Sequence, residues 1–304
     1  MKKAINPTVI GLLAGLLSSP AWASESAWVL PKNSSFIEVL PQVGRYQNDE
    51  PSAVTEFAWK TRYELGYVEN AAFALEIPLR SLSRNVSPEI DNPRTGTVTH
   101  NGFTDLWLGN YIQFLREPLA LSLRTGLSVP LGYSLDSLPI LGEGQLNLDA
   151  ALLAGYGLGE WGYVQAGAGY RLRTGYSRQH IRVQQAELAK NTLEKPADQF
   201  LFFAETGIWL HPAILFSLGI DGKVGLNQSN ALVQSAIYIQ PRLAWRLNPY
   251  VDLSLQLDQA LWSQNAPFAT AGTLGAHFRF GNPLPKGLGL RGGESGIETS
   301  TTAP

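Results

Sequence analysis

The alternation between Glu56 and Tyr67 limits what this chain can fold into more than any other feature. Its odd positions are Phe57, Trp59, Thr61, Tyr63, Leu65 and Tyr67, and its even ones are Glu56, Ala58, Lys60, Arg62, Glu64 and Gly66. Period two denotes a strand with two chemically distinct faces, because successive side chains point to opposite sides. The stretch after Arg116-Glu117-Pro118 repeats the pattern. There Leu119, Leu121, Leu123, Thr125, Leu127, Val129 and Leu131 alternate with Ala120, Ser122, Arg124, Gly126, Ser128 and Pro130. Such strands are about twice as long as the five or six residues usual in soluble domains. An unbroken apolar face opposite a charged one suits lipid outside and water inside.

The rest of the chain fits the same template, with strands predicted near 35–46, 56–67, 72–81, 103–114, 119–131, 145–157, 163–174, 199–210, 213–225, 236–247, 250–262 and 270–280. Tight turns at 68–71, 115–118, 158–162, 211–212 and 248–249 alternate with longer polar loops, the longest at 82–102 and 175–198. This predicts an all-β fold, an up-and-down antiparallel transmembrane β-barrel of about 12 strands over residues 35–280, with both chain ends in the periplasm. A soluble β-sandwich or lipocalin-like barrel would alternate too, with its apolar face turned inward. Strand length argues against it, as does a charged fraction of 16 %, when roughly a quarter is usual in soluble domains.

The N-terminus carries Lys2 and Lys3, an apolar run from Val9 to Leu17 and the small-x-small sequence Ala21-Trp22-Ala23. These predict a signal peptide over 1–23 cleaved after Ala23, a periplasmic N-terminal segment over 24–34, and localisation to the outer membrane of a Gram-negative bacterium. A flexible Gly/Pro/Ser/Thr-rich tail is expected over 281–304. With no cysteine, disulfides, thiolate metal sites and thiol nucleophiles are excluded. A net charge of −2 leaves no basic footprint for nucleic acid. His100, His180, His211 and His277 lack metal-ligand spacing, so neither a metal nor a cofactor is expected. Barrel hydrolases need a Ser, a His and an orienting group together at the lipid-facing outer rim. Here that leaves only His100 beside Ser81 or Ser83, and no enzymatic role is expected. Asp252 and Asp258, six residues apart on one strand, stand roughly 20 Å apart, too far for shared acid–base work.

Subtracting the apolar faces leaves an expected lumen lining of Glu38, Glu56, Lys60, Arg62, Glu64, Glu76, Arg80, Asp105, Arg124, Asp149, Arg171, Arg173, Glu205, Asp221, Lys223, Arg242, Arg246, Asp252, Asp258, His277 and Arg279. Acids and bases nearly balance. A twelve-stranded barrel lies between small barrels filled by side chains and wide porins, so these charges can pair across it and constrict it. They then either tune a pore as charged rings do or simply hold the barrel round. Gly155, Gly157, Gly167 and Gly169, spaced by two within strands, leave room for a large inward ring such as Tyr111 or Tyr238. Trp161, Tyr163, Trp245 and Tyr250 near the turns are expected in an interfacial aromatic girdle.

Several stretches resemble a known family. Gly102-Phe103-Thr104-Asp105-Leu106-Trp107-Leu108-Gly109-Asn110-Tyr111 resembles the G-x-x-D-x-x-x-G-x-x-Y strand of the outer-membrane MetA-pathway phenol-degradation transporters. Gly126-Leu127-Ser128-Val129-Pro130-Leu131-Gly132-Tyr133 is similar to a strand end of that family. Gly142-Glu143-Gly144-Gln145, with Asp149 and Gly155-Tyr156-Gly157, is similar to the next strand, and Gly167 to Arg173 continues the likeness. The resemblance implies an outer-membrane barrel that takes up small solutes, aromatic or amphipathic ones among them. The expected function is therefore a narrow passive channel, with outer-membrane lipid, the barrel assembly machinery and an unidentified small solute as partners. The alternatives are a non-conducting structural or assembly-partner barrel and a lipid-directed hydrolase.

Overall fold

A computed structural model of the protein describes residues 26–47, 54–86, 96–133, 141–174, 195–226, 231–264, 266 and 268–281. The expected signal peptide and all of the expected tail but Gly281 lie outside the described residues. Among the described residues fifteen strands form, in chain order: β1 (Ser35–Gln47), β2 (Val54–Val68), β3 (Ala71–Val86), β4 (Gly96–Phe103), β5 (Asp105–Leu115), β6 (Leu119–Pro130), β7 (Asn147–Gly157), β8 (Gly162–Arg173), β9 (Lys195–Pro196), β10 (Gln199–His211), β11 (Ile214–Gly225), β12 (Ala231–Leu232), β13 (Ser235–Asn248), β14 (Val251–Gln264) and β15 (Phe268–Phe280). Twelve of them close an antiparallel barrel. Each pairs with its neighbours in chain order, and β1 returns to β15 with Phe36 opposite Arg279. β9 and β12 form a small separate parallel pair.

The alternation sorts the side chains as its period demands. Along β2 every second residue from Val54 to Glu64 is buried, whereas Phe57, Trp59 and Tyr67 are exposed. The outward face is apolar all round: Leu152 is 57 % exposed, Leu255 58 % and Leu274 62 %. An apolar belt this large cannot rest in water, and a closed barrel leaves no unpaired backbone for lipid to meet. Trp161, Trp245 and Tyr250 are exposed beside the short turns, as interfacial rings would be. Tyr163 departs from that expectation. It is buried inside the barrel and donates a hydrogen bond to Glu205.

The short turns gather at one rim, the turn end, and the longer connections at the other, the loop end. Among the described residues, four of the five places where strand registers shift lie at the turn end, beside Gly66, Gln113, Trp209 and Arg246. Rims are where bulges usually re-aim strands.

The stretch expected as the long loop 82–102 departs further. β3 runs on to Val86 and β4 doubles back along it, so a two-stranded ribbon extends the barrel wall at the loop end. Pro78 explains where the wall splits. Lacking an N–H, it cannot donate to a neighbouring strand. β3 pairs with β5 as far as Glu76 opposite Trp107, then with β4 from Leu79 opposite Phe103. Across the gap the Pro78 carbonyl accepts from Thr104 N at 3.1 Å.

Of the periplasmic N-terminal segment expected over 24–34, residues 26–34 are described, and they fold into the turn end of the barrel. Ala27, Trp28, Val29 and Leu30 are buried together with Phe36, Tyr163 and Leu215. Ala27 N donates to Gln165 Oε1 at 3.2 Å, and its carbonyl accepts from Ser122 Oγ at 3.1 Å. Trp28 lies edge-on to Tyr163, in space left by Gly155, where a Cβ would come within 2.7 Å of its ring. A second buried cluster at the loop end includes Tyr46, Leu82, Tyr133, Leu141 and Tyr238.

Candidate functional site

Between the two apolar clusters the barrel interior is charged. Glu56, Lys60, Arg62, Glu64, Glu76, Arg80, Arg124, Asp149, Arg171, Arg173, Asp221, Lys223, Arg246, Asp252, Asp258, His277 and Arg279 are buried on the inward face, as is Glu38. Asp105, Glu205 and Arg242 are half-buried on the same face. Almost none of these charges stands alone, because an ion left unpaired away from water is costly.

The stretches that carry the family resemblance converge on one wall. Arg124 on β6 is paired with Asp149 on β7, and Trp107 Nε1 on β5 donates to the same carboxylate at 3.3 Å. Two guanidinium groups lie over the Trp107 ring, Arg62 at 5.3 Å and Arg124 at 5.5 Å from its centroid, a favourable cation–π arrangement. It can lie flat only because Gly109 and Gly126 lack side chains. A Cβ there would come within 2.0 Å and 2.4 Å of the indole. Arg62 also donates to Tyr111 Oη at 2.5 Å. Trp107 is thus a structural centre of the lumen that charge-based reading missed. The signal was present in its position between Asp105 and Gly109, which sets it on the inward parity.

At the loop end, residues 141–146 turn into the mouth. Asp105 accepts from Tyr133 Oη and from Glu143 N, the latter at 2.7 Å, while Gly144 N donates to Tyr133 Oη. Arg80 bonds Glu56 at 2.7 Å and donates to the Leu141 carbonyl at 3.1 Å. Glu143 lies 3.4 Å from Arg173 and 3.8 Å from Arg171, and accepts from Asn147 Nδ2 at 2.6 Å. Burial pushes the Glu143 carboxyl up, but the guanidinium groups of Arg173 and Arg171 outweigh it and hold the group below the usual carboxylate range. Burial and the Asp105 charge push the Tyr133 hydroxyl the other way, so it stays protonated as a donor.

On the opposite wall Asp258 accepts from Gln240 and Gln256, each at 2.8 Å, and from Gln42 at 3.1 Å. Arg242 bonds Glu205 at 2.7 Å. Toward the turn end Arg246 and Arg279 share Asp252. His277 is held between Glu38 at 3.2 Å and Ser254 Oγ at 2.8 Å. That string of three lies inside the barrel, walled from lipid. His100 does not meet Ser81 or Ser83. It sits opposite Leu82, so the two serines point to the other face, and Ser83 bonds Thr99 at 2.9 Å. His211 ends β10, and its Nδ1 accepts from Ala213 N in the turn that follows; His180 lies outside the described residues.

Two small cavities lie among these charges. One cavity of about 70 Å³ lies between Arg80, Asp105, Trp107, Glu143, Arg171 and Lys223. Another of about 20 Å³ lies among Lys60, Arg242, Asp258 and His277.

No family model and no curated protein matches the chain. Among solved structures it is similar to the COG4313 outer membrane channel from Pseudomonas putida F1, with a TM-score of 0.62 and 16 % identity over 87 % of this chain and all of that one. The NanC porin matches with a TM-score of 0.49 and 8 % identity over 79 % of this chain and 98 % of that one. The KdgM porin matches with a TM-score of 0.46 and 7 % identity over 80 % and 99 %. The first likeness shows that the fold is that of an outer-membrane barrel.

Proposed function

We propose that the protein is a narrow passive channel of the bacterial outer membrane, exported by a signal peptide over 1–23 and inserted by the barrel assembly machinery. The observation that carries this reading is the division of the barrel interior. A middle layer of paired charges surrounds small water-sized cavities, and the lumen is narrowed toward the turn end by a segment held through hydrogen bonds and packing. A barrel that needed only mechanical strength could fill its interior with apolar side chains, whereas fixed charges beside water suit the passage of small polar or amphipathic solutes. The turn end is read as periplasmic and the loop end as external, following the usual topology of such barrels. The resemblance to phenol-degradation transporters supports a channel, with small aromatic compounds among its solutes, and the likeness to the Pseudomonas outer membrane channel supports a channel too. The Ser254–His277–Glu38 string gives no support to a lipid-directed hydrolase, since lipid does not reach it. Liposome swelling tests the proposal: vesicles holding the folded protein should swell with small solutes and exclude disaccharides. A swelling rate no greater than that of empty vesicles for every solute would favour the non-conducting alternative.

A further inference from the structure

We infer that the interior cavity beside Trp107 is a binding subsite for a small monoanion, of which a carboxylate is the chemical type. This rests on the channel reading and adds the charge of the solute. The cavity measures about 70 Å³, room for a few waters or one small carboxylate group, and Arg80, Arg124, Arg171 and Lys223 all line it. Its lining carboxylates are Glu76, Asp105 and Glu143. Two of these are already occupied. Asp105 receives Tyr133 Oη and Glu143 N, and Glu143 receives Asn147 and the two arginines Arg171 and Arg173.

The donors are not used up in the same way. Arg80 spends Nε on Glu56 and one terminal nitrogen on the Leu141 carbonyl, yet its Nη2 is buried with no hydrogen-bond partner. Arg171 approaches Glu143 through Nη1, and its Nε is likewise buried without a partner. Both side chains are about 95 % buried. Unmet guanidinium N–H groups in a confined, low-dielectric space are strong anion donors, and a carboxylate can accept from two at once. Arg80, Arg124 and Arg171 are each paired with a carboxylate, so what distinguishes the space is the two remaining N–H donors, Nη2 of Arg80 and Nε of Arg171, which an entering anion can meet and a cation cannot.

Two measurements test this independently. Crystals of the wild-type protein soaked in sodium bromide should show an anomalous bromide peak within hydrogen-bond reach of Arg80 and Arg171, a result that needs no conduction. In planar bilayers under a potassium chloride gradient the reversal potential should carry the sign of anion preference. Arg171→Gln, checked for folding by heat-modifiable gel mobility, should lower the chloride-to-potassium permeability ratio several-fold. Because the bromide experiment reads occupancy alone, a bromide peak in a protein that never conducts would remove the channel reading and leave the subsite. A conducting protein with no bromide in the cavity, or with a cation preference unchanged by Arg171→Gln, would overturn the subsite and leave the channel.

Discussion

Gln165, on β8, holds the backbone of Ala27 inside the barrel: its side-chain oxygen accepts from Ala27 N at 3.2 Å, across 138 residues of chain. Gln113 and Ser122 bond the Ala27 carbonyl from β5 and β6. Three strands of one wall thus grip the backbone of a segment that has no strand partner of its own at that point. Each such bond contributes on the order of 1 kcal/mol, enough to hold the segment yet within reach of single substitutions. Because the chain has no cysteine, Ser26→Cys supplies a unique thiol. It should react slowly with a membrane-impermeant maleimide in the wild-type background and markedly faster with Gln165→Ala added. Equal rates would mean that packing by Trp28 alone holds the segment.

The two faces of β6 are tested by adjacent residues. Leu123 points outward beside Leu152, and Arg124 points inward to Asp149. Leu123→Arg places a charge in hydrocarbon at a cost of about 2–4 kcal/mol near the midplane. Arg124→Met strips a buried carboxylate of its partner, for which about 3–5 kcal/mol is typical. Both should weaken folding into lipid vesicles measured by urea titration, but only the second should be rescued by a second change, Asp149→Asn. Rescue of Leu123→Arg by a change at Asp149 would mean that the faces are exchanged.

The inward turn at residues 141–146 should resist acid. Glu143 is held below its ordinary value of 4.5 by Arg173 and Arg171, which overcome the effect of burial. A lowered folded-state value gives stability that is complete above the unfolded value and is lost as the pH falls through the folded one. The thermal stability difference between the wild type and Glu143→Gln should therefore persist from neutral pH down past 4.5 and close only on further acidification. A difference that vanished above pH 4.5 would contradict the pairing with the arginines.

Orientation follows from the grouping of the turns. An epitope inserted after Pro249, in the tight turn between β13 and β14, should be hidden on intact cells. One at Asn92, between β3 and β4 in the chain, should be exposed. The reverse pattern would invert the barrel in the membrane.

Strand positions were legible because lipid outside and charge inside force a period of two, which survives without any tertiary knowledge. Glu56, Arg62 and Arg124 could be placed inward from parity alone. Other features were hidden for physical reasons. β4 reads Gly-Thr-Val-Thr-His-Asn-Gly-Phe and is exposed along most of its length, so it has no apolar face to announce it. Residues 27–30 are too short an apolar run to distinguish burial inside a barrel from a lead-in to β1. Tyr163 stands next to Gly162 at the start of β8, where composition alone favours an interfacial ring. Its inward direction is set by register with Gly207, which leaves room for it. Trp107 was hidden by its kind, since charge marked the lumen and an indole carries none.

Conduction through the charged interior, narrowed by the segment around Ala27, is what the proposed function requires. Single-channel recording in planar bilayers, on folded wild-type protein and on a form lacking residues 26–33, tests both parts at once. The wild type should give small discrete steps, and the shortened form larger ones. Continued absence of steps from both, in protein whose gel mobility shows it folded, would mean that the barrel does not conduct.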